Sequence, residues 1–206
     1  MPTDHELLAA WASGDEQAGK AVFERHYSSV YRFFRAKGLS EMEDLVQETF
    51  LAVVRGHASF RGDASFRAFL FGTARNTLRQ HYRRRQRKEG RLDFGSHSAV
   101  DLGASPSAVV ADKAEKRLLL EGLRRLPIDD QIVLELFLWE SLTAKELGAV
   151  LELTEAAVRS RLHRAKNRLR VIMEEIGESA EVLESTLADL DGWAKNVRDE
   201  LEHGAK

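Results

Sequence analysis

The chain has 206 residues, enough for one or two small domains, and its formal net charge of −2 leaves acidic and basic segments nearly balanced. It contains no cysteine, which excludes disulfides and thiolate metal sites and is typical of a protein in a reducing cytoplasm. The acidic N-terminus has no signal-peptide pattern and no apolar run could cross a bilayer, so we expect a cytoplasmic protein without membrane insertion.

The first segments have helical periodicity. A short amphipathic helix is predicted from about Asp4 to Gly14, and a second, rich in aromatic residues, from about Glu16 to Lys37. Ser40 and Glu43 then form an S-x-x-E pattern, which predicts a capping box for the next helix. With only three prolines in the chain, these patterns predict an all-α fold.

The helix after Ser40 has two distinct faces. One face is apolar and predicts a core contact, whereas the opposite face is an acidic strip with an exposed leucine. This docking strip consists of Asp44, Gln47, Glu48 and Leu51. The spacing fits a face that binds another protein, and equally fits a charged face in contact with solvent.

The segment from Phe60 to Lys88 joins a short loop to a long helix that becomes basic toward its end. Residues 61–91 contain ten Lys or Arg and two acidic residues. At about 100° per residue, an apolar sector that includes Phe66 and Leu78 lies opposite Arg75, Arg79 and Arg83. Tyr82 lies at the border, where it either reaches a stacked base or closes the core. Aromatic rings among arginines favour single-stranded nucleic acid, and a solvated basic helix end is the alternative.

Periodicity stops from Gly90 to about Ala111, which indicates a linker between two helical domains. It resumes at Asp112. Further on, Thr143 and Glu146 predict a capping box for a short helix, and Thr154 predicts the N-cap of a long one. Two helices with this brief connection have the spacing of a helix-turn-helix.

The long helix after Thr154 separates an apolar sector from a polar one. The polar sector can donate hydrogen bonds to phosphates and base edges, and it contains Arg159, Ser160, His163, Arg164 and Asn167. A solvated basic helix in a structural bundle is the alternative. The preceding capped helix favours the helix-turn-helix interpretation.

The segment 178–206 has eight acidic residues against three Lys or Arg, and an apolar seam that includes Leu183 and Leu187. Such a seam packs on another helix. We consider two hypotheses for it. Either the acidic tail docks on the basic surfaces and restrains them, or it adds a helix to the second domain or forms a dimer seam.

Four motifs in order make the chain from about Asp15 to Glu175 resemble a bacterial RNA polymerase sigma factor of the sigma-70 family, extracytoplasmic-function group. They are FERHYSSVYRFF, EDLVQETFLAVV, FRGDASFRAFLFGTARNTLRQHYRRR and LPIDDQIVLELFLWESLTAKELGAVLELTEAAVRSRLHRAKNRLR. Two departures stand out. Ser141 replaces a common glycine, and His163 replaces a common aliphatic or aromatic residue.

The resemblance implies a region 2 domain (1–89), the linker (90–111) and a region 4 helix-turn-helix domain (112–176). The acidic segment 177–206 lies beyond the resemblance, and its apolar seam predicts a helical extension. The resemblance places Asp44, Gln47, Glu48 and the neighbouring Leu51 at the core-polymerase contact. It places the polar face of the last long helix, Arg159 to Asn167, at the −35 element. The residues it implies for opening the −10 element are Arg61, Gly62, Asp63, Ser65, Phe66, Arg75, Asn76, Arg79, Arg83 and Arg84.

The resemblance therefore implies a transcription initiation factor that binds core RNA polymerase and promoter DNA and is held by an anti-sigma partner. The alternatives are a stand-alone helix-turn-helix regulator that binds duplex DNA without polymerase, and an adaptor that binds only proteins. The sequence contains no enzyme constellation, and we expect no cofactor and no metal site.

Overall fold

The computed structural model describes residues 1–56, 65–85, 93–103, 114–177, 179–189, 192 and 195. These residues form helices and turns, with an isolated β-bridge between Ser98 and Pro127, and the all-α prediction is confirmed. The helices are α1 (Asp4–Ala12), α2 (Glu16–Arg35), α3 (Met42–Gly56), α4 (Phe66–Arg85), α5 (Ala114–Arg125), α6 (Ile128–Leu138), α7 (Ala144–Leu151), α8 (Glu155–Ile176) and α9 (Ala180–Ala188). Within the described residues, no helix is long and apolar enough to span a membrane.

Helices α1 to α4, here the N-terminal half, pack around an aromatic core. Thr3 and Glu6 form a capping box at α1, and the Asp15 carboxylate caps α2. Gly19 allows α1 to approach closely, since a Cβ at this position would lie 2.7 Å from the Trp11 ring. The fully buried side chains at the centre of this half include Phe34, Phe71 and Leu78.

The predicted capping box at Ser40 is wrong. Helix α3 begins at Met42, and its first carbonyl acceptor is that of Glu41, which accepts from the Leu45 amide at 3.2 Å. The Ser40 hydroxyl instead donates to the Glu41 carboxylate at 2.7 Å. Ser40 therefore lies one residue too early to cap this helix.

Residues 93–103, inside the predicted linker, make specific contacts with the start of α6. The Phe94 carbonyl accepts from the Asp129 amide at 3.0 Å, and the His97 carbonyl accepts from the Ile128 amide at 2.9 Å. The Phe94 ring lies edge-on to the Tyr82 ring at 6.1 Å. This segment thus satisfies two amides of the first turn of α6 while contacting α4.

Helices α5 to α9, here the C-terminal half, contain the predicted helix-turn-helix. The Thr143–Glu146 capping box of α7 is confirmed, as is the Thr154 cap of α8. The turn between them is tight, because a Cβ at Gly148 would lie 2.6 Å from the Leu153 carbonyl oxygen. Glu152 closes α7 in a left-handed conformation, φ 60°.

Helix α9 packs on α5 and α8. Val182, Leu183 and Leu187 contact the core of the C-terminal half, and Thr186 is fully buried. For residues 180–188 the structure thus agrees with the hypothesis of an additional helix on the second domain. The remaining seam residues from Leu190 onward lie outside the described part of the chain.

Candidate functional site

The docking strip lies on the solvent face of α3, away from the apolar face that the helix buries. Asp44 and Gln47 are exposed, and Leu51 is exposed at 45% of its surface, a large fraction for a leucine. Glu48 is half-buried and accepts from Arg84 of α4 at 2.9 Å. All four side chains of the strip therefore share one accessible face, beside the basic end of α4.

The basic end of α4 is partly open to solvent. Asn76, Arg83 and Arg84 are exposed. Arg79 is half-buried, with its guanidinium 5.6 Å from the centre of the Phe94 ring. Tyr82 was predicted either to reach a stacked base or to close the core. It is fully buried, so in this structure it closes the core.

The first part of the predicted −10 surface is covered in this conformation. Phe66 is 4% exposed and packs on His26, and Arg75 is 5% exposed. The Ser65 hydroxyl donates to Glu146 of α7 at 2.6 Å. Three more predicted residues, Arg61, Gly62 and Asp63, lie outside the described residues.

Arg75 is covered because α4 packs against the C-terminal half. Its guanidinium donates two hydrogen bonds to the Asp129 carboxylate, at 2.9 and 3.2 Å. We expected Arg75 to face a polyanion, and it faces a carboxylate of α6 instead. Arg75 lies opposite the core of its own half, as the helical period predicts, and the other half covers this sector of α4.

Asp129 and the adjacent Asp130 also pair with arginines of α8. Arg161 lies 3.2 Å from Asp129 and 3.4 Å from Asp130, and Arg168 donates to Asp130. Burial raises the pKa of Asp130, although the charges of Arg161 and Arg168 act in the opposite direction. These two carboxylates therefore hold basic side chains from both α4 and α8.

Two further buried carboxylates, Glu135 and Glu140, join the halves, and the sequence analysis predicted neither contact. Lys37 and Glu135 are fully buried and meet at 2.5 Å. Glu140, also buried, accepts from Ser29, Arg32 and Arg67 of the N-terminal half. The sequence did contain a signal for these contacts: acidic residues interrupt the apolar pattern of α6 and of the turn that follows it.

The polar face of α8 is open. Its five predicted residues, Arg159, Ser160, His163, Arg164 and Asn167, are all exposed. Arg164 donates to Ser160 at 2.7 Å, and the amide nitrogen of Asn167 lies 3.2 Å from the His163 ring. Val158, Ala165 and Leu169 bury the opposite face. A capped helix thus presents donors and acceptors on one outer face, the arrangement that major-groove recognition uses.

Two family models match the chain. Sigma-70 region 2 matches residues 22–88, and Sigma-70, region 4 matches residues 116–169. Together they cover more than half of the sequence, and each includes one of the surfaces described above.

Curated relatives align over most of the chain. RNA polymerase sigma factor CnrH of Cupriavidus metallidurans is 29% identical over 182 residues, which are 83% of this chain and 94% of the relative. RNA polymerase sigma-H factor of Pseudomonas aeruginosa is 28% identical over 179 residues, 81% of this chain and 91% of the relative. The ECF RNA polymerase sigma-E factor of Escherichia coli is 25% identical over 176 residues, with coverages of 81% and 92%.

Two solved structures are similar. That of CnrH in complex with the cytosolic domain of CnrY superposes with a TM-score of 0.62 at 25% identity, covering 84% of this chain and 99% of that one. RpoE of Bartonella quintana in complex with the anti-sigma factor NepR gives a TM-score of 0.54 at 22% identity, with coverages of 75% and 98%, a likeness of fold.

Proposed function

Because the chain belongs to the sigma-70 family of RNA polymerase sigma factors, in its extracytoplasmic-function group, we propose that three of its helical surfaces divide the work of promoter-specific initiation. The chain is an initiation factor that binds RNA polymerase and directs it to promoters. Its role is one of binding, and we place it in the cytoplasm with the polymerase.

The surface on α8 reads the −35 duplex. The supporting observation is the exposed polar face of a helix whose start is fixed by the Thr154 cap and by the turn at Gly148. Arginine, serine, histidine and asparagine side chains there can reach both phosphates and base edges. The proposal rests on this face, because its side chains are exposed and its helix is held in place by the Thr154 cap and the tight turn.

The docking strip on α3 binds core polymerase. Its carboxylates and its exposed Leu51 combine charge with an apolar contact on one accessible face. The strip points away from the core of its own half, so it can dock without any change in folding.

The surface on α4 and the preceding loop opens the −10 element. Asn76, Arg79, Arg83 and Arg84 lie where they can follow a phosphate backbone, and Ser65, Phe66 and Arg75 complete the set with Arg61, Gly62 and Asp63. Unstacking costs a few kcal/mol per flipped base, and contacts to the extruded base and its phosphates offset that cost.

We also propose that an anti-sigma protein regulates the chain. The CnrH structure was solved with the cytosolic domain of CnrY, and CnrH aligns with most of this chain. A partner of this kind would compete with polymerase for the free initiation factor.

Run-off transcription with purified core polymerase tests the proposed function. We expect promoter-specific RNA that depends on this chain, and its loss when the α8 face or the docking strip is altered. Tight binding to duplex DNA with no association with polymerase would contradict the proposal and support the stand-alone regulator instead. That alternative is not favoured, because region 2, the polymerase-binding module, is matched here.

A further inference from the structure

His26 of α2 is a buried side chain that contacts both α1 and α4. It is 6% exposed, and its Nε2 atom lies 2.9 Å from the Asp4 carboxylate of α1. Its ring meets the Phe66 ring of α4 edge-on, with 5.4 Å between the ring centres. We call Asp4, His26 and Phe66 the support triad.

Asp4, the first member of the triad, is held in place by the residue next to His26. Arg25 donates to the Asp4 carboxylate at 2.7 Å and to the Pro2 carbonyl at 2.8 Å. The capping box described above fixes the start of α1 as well. The first turn of α1 is thus bound to α2, and its carboxylate faces His26 from a fixed position.

The charges around the triad determine how the His26 ring is bonded. Burial would raise the pKa of Asp4, but the hydrogen bond from Arg25 and the charge of His26 lower it below its usual value. Burial lowers the pKa of His26, and the charges of Arg67 and Arg25 add to this effect, whereas the Asp4 carboxylate opposes it. At neutral pH the carboxylate is therefore ionised and the ring is neutral, so the ring donates from Nε2.

Phe66, the last member of the triad, lies where the proposed −10 surface meets the core. It is the first residue of α4 and directly follows Ser65. It is 4% exposed, and its ring lies 6.3 Å from that of Phe69. The placement of Ser65 and of the start of α4 thus depends on how Phe66 is held.

The triad joins two parts of the sequence that differ in their relation to the family. The region 2 match begins at residue 22, so α1 with Asp4 precedes it, whereas His26 and Phe66 lie within it. All three residues belong to the N-terminal half, and none belongs to the docking strip on α3 or to the polar face of α8. A change in the triad can therefore be separated from changes in those two surfaces.

We propose that His26 is a positioning residue for promoter opening, in which its ring holds Phe66 and Asp4 of α1 holds the ring. This inference rests on the proposed function of the α4 surface. A smaller side chain at position 26 would leave Phe66 several orientations, and only those that match the unstacked strand support opening. Loss of the support should slow opening without weakening binding to polymerase or to the −35 duplex.

The rate of strand opening tests the proposal in holoenzyme formed from the full chain and core polymerase. A 2-aminopurine base in the −10 element of the promoter reports unstacking as a rise in fluorescence. Asp4→Ala should slow opening about fivefold, the effect of one hydrogen bond. His26→Ala should slow it about thirtyfold, because the ring contact with Phe66 is lost as well. His5→Ala, at an exposed position of α1, is the matched control and should open like wild type.

Two comparisons distinguish positioning from a general loss of structure. His26→Phe keeps a ring against Phe66 and loses the bond to Asp4, so it should slow opening only as much as Asp4→Ala does. Adding Asp4→Ala to His26→Ala should cause no further loss, because Asp4 acts through the ring that is already absent. Competition for core polymerase, and binding of holoenzyme to a −35 duplex fragment, should match wild type in every variant.

Opening at the wild-type rate by His26→Ala, with circular dichroism showing a folded protein, would overturn the proposal. An equal loss of opening and of polymerase binding would overturn it too. Should His26→Ala fail to fold, Asp4→Ala decides, and an unchanged rate of opening would count against the triad. Failure of the proposed function is a separate result, because wild-type holoenzyme would then produce neither the rise in fluorescence nor promoter-specific RNA.

Discussion

At the residue scale, single side chains determine which surfaces of the chain are accessible. Arg75 is paired with a carboxylate of the other half, whereas Arg164 is exposed and donates to Ser160 of its own helix. Both are arginines on the polar side of an amphipathic helix. Their different environments arise from packing between halves, and this difference predicts different responses to substitution.

Arg164→Ala should weaken recognition of the −35 element, because it removes an exposed guanidinium from the polar face of α8. The loss is about 1–3 kcal/mol if the side chain makes a bidentate base contact. Binding of holoenzyme to promoter variants measures it. Arg170→Ala, which removes an exposed arginine paired with Glu174 on the same helix, is the matched control. Equal weakening on every sequence would show a phosphate contact without base recognition.

Ser141→Gly should stabilise the chain. Ser141 has φ 53°, a left-handed conformation that disfavours residues with a Cβ and that glycine adopts without strain. We expect the free energy of unfolding in urea to rise by about 1 kcal/mol. Ser28→Gly, within α2, should lower it by a similar amount. No gain for Ser141→Gly would show that the serine side chain offsets the backbone strain.

The Glu140 contacts should weaken in acid. Burial alone would raise the pKa of Glu140, but the charge of Arg32, hydrogen bonds from Arg32 and Ser29, and the charge of Arg67 together lower it below the ordinary value of 4.5. A lowered pKa stabilises the folded chain above that value, and the contribution is lost as the pH falls through the lowered pKa. The free energy of unfolding in urea, followed from neutral pH into this acid range, should therefore fall more for wild type than for Glu140→Gln. An equal fall in both proteins would contradict the role of the Glu140 charge.

At the element scale, helices combine a locally determined face with a face whose partner lies far away in sequence. The docking strip and the polar face of α8 could be predicted, because periodicity within one helix defines them. The coverage of α4 could not, since the partner of Arg75 lies 54 residues further along the chain. Sequence patterns also predicted the caps at Thr143 and Thr154, where each bond spans three residues, but misplaced the start of α3.

Asp44→Ala should lower the affinity for core polymerase and leave DNA contacts intact, because Asp44 lies on the exposed face of α3 and away from α8. Competition binding to core polymerase measures the change, with Glu24→Ala on the exposed face of α2 as the control. A mutant that assembles with polymerase like wild type would remove Asp44 from the docking strip.

At the scale of the whole molecule, the chain exposes its proposed −35 and polymerase surfaces while it buries part of its proposed −10 surface. The formal net charge of −2 does not reveal these surfaces, because their basic residues are balanced by acidic ones. Some of these pair directly, since basic residues of α4 and α8 contact acidic residues of α6. The predicted linker takes part as well, with residues 93–103 bound to the start of α6. In this conformation the two halves form one packed unit, with α4 of the N-terminal half against α7 of the C-terminal half.

Run-off transcription with purified core RNA polymerase, on a promoter template and on one whose −35 element is scrambled, tests the proposed function most directly. We predict promoter-specific RNA that depends on this chain and is lost on the scrambled template. Tight binding of the chain to duplex DNA with no association with polymerase would contradict the account.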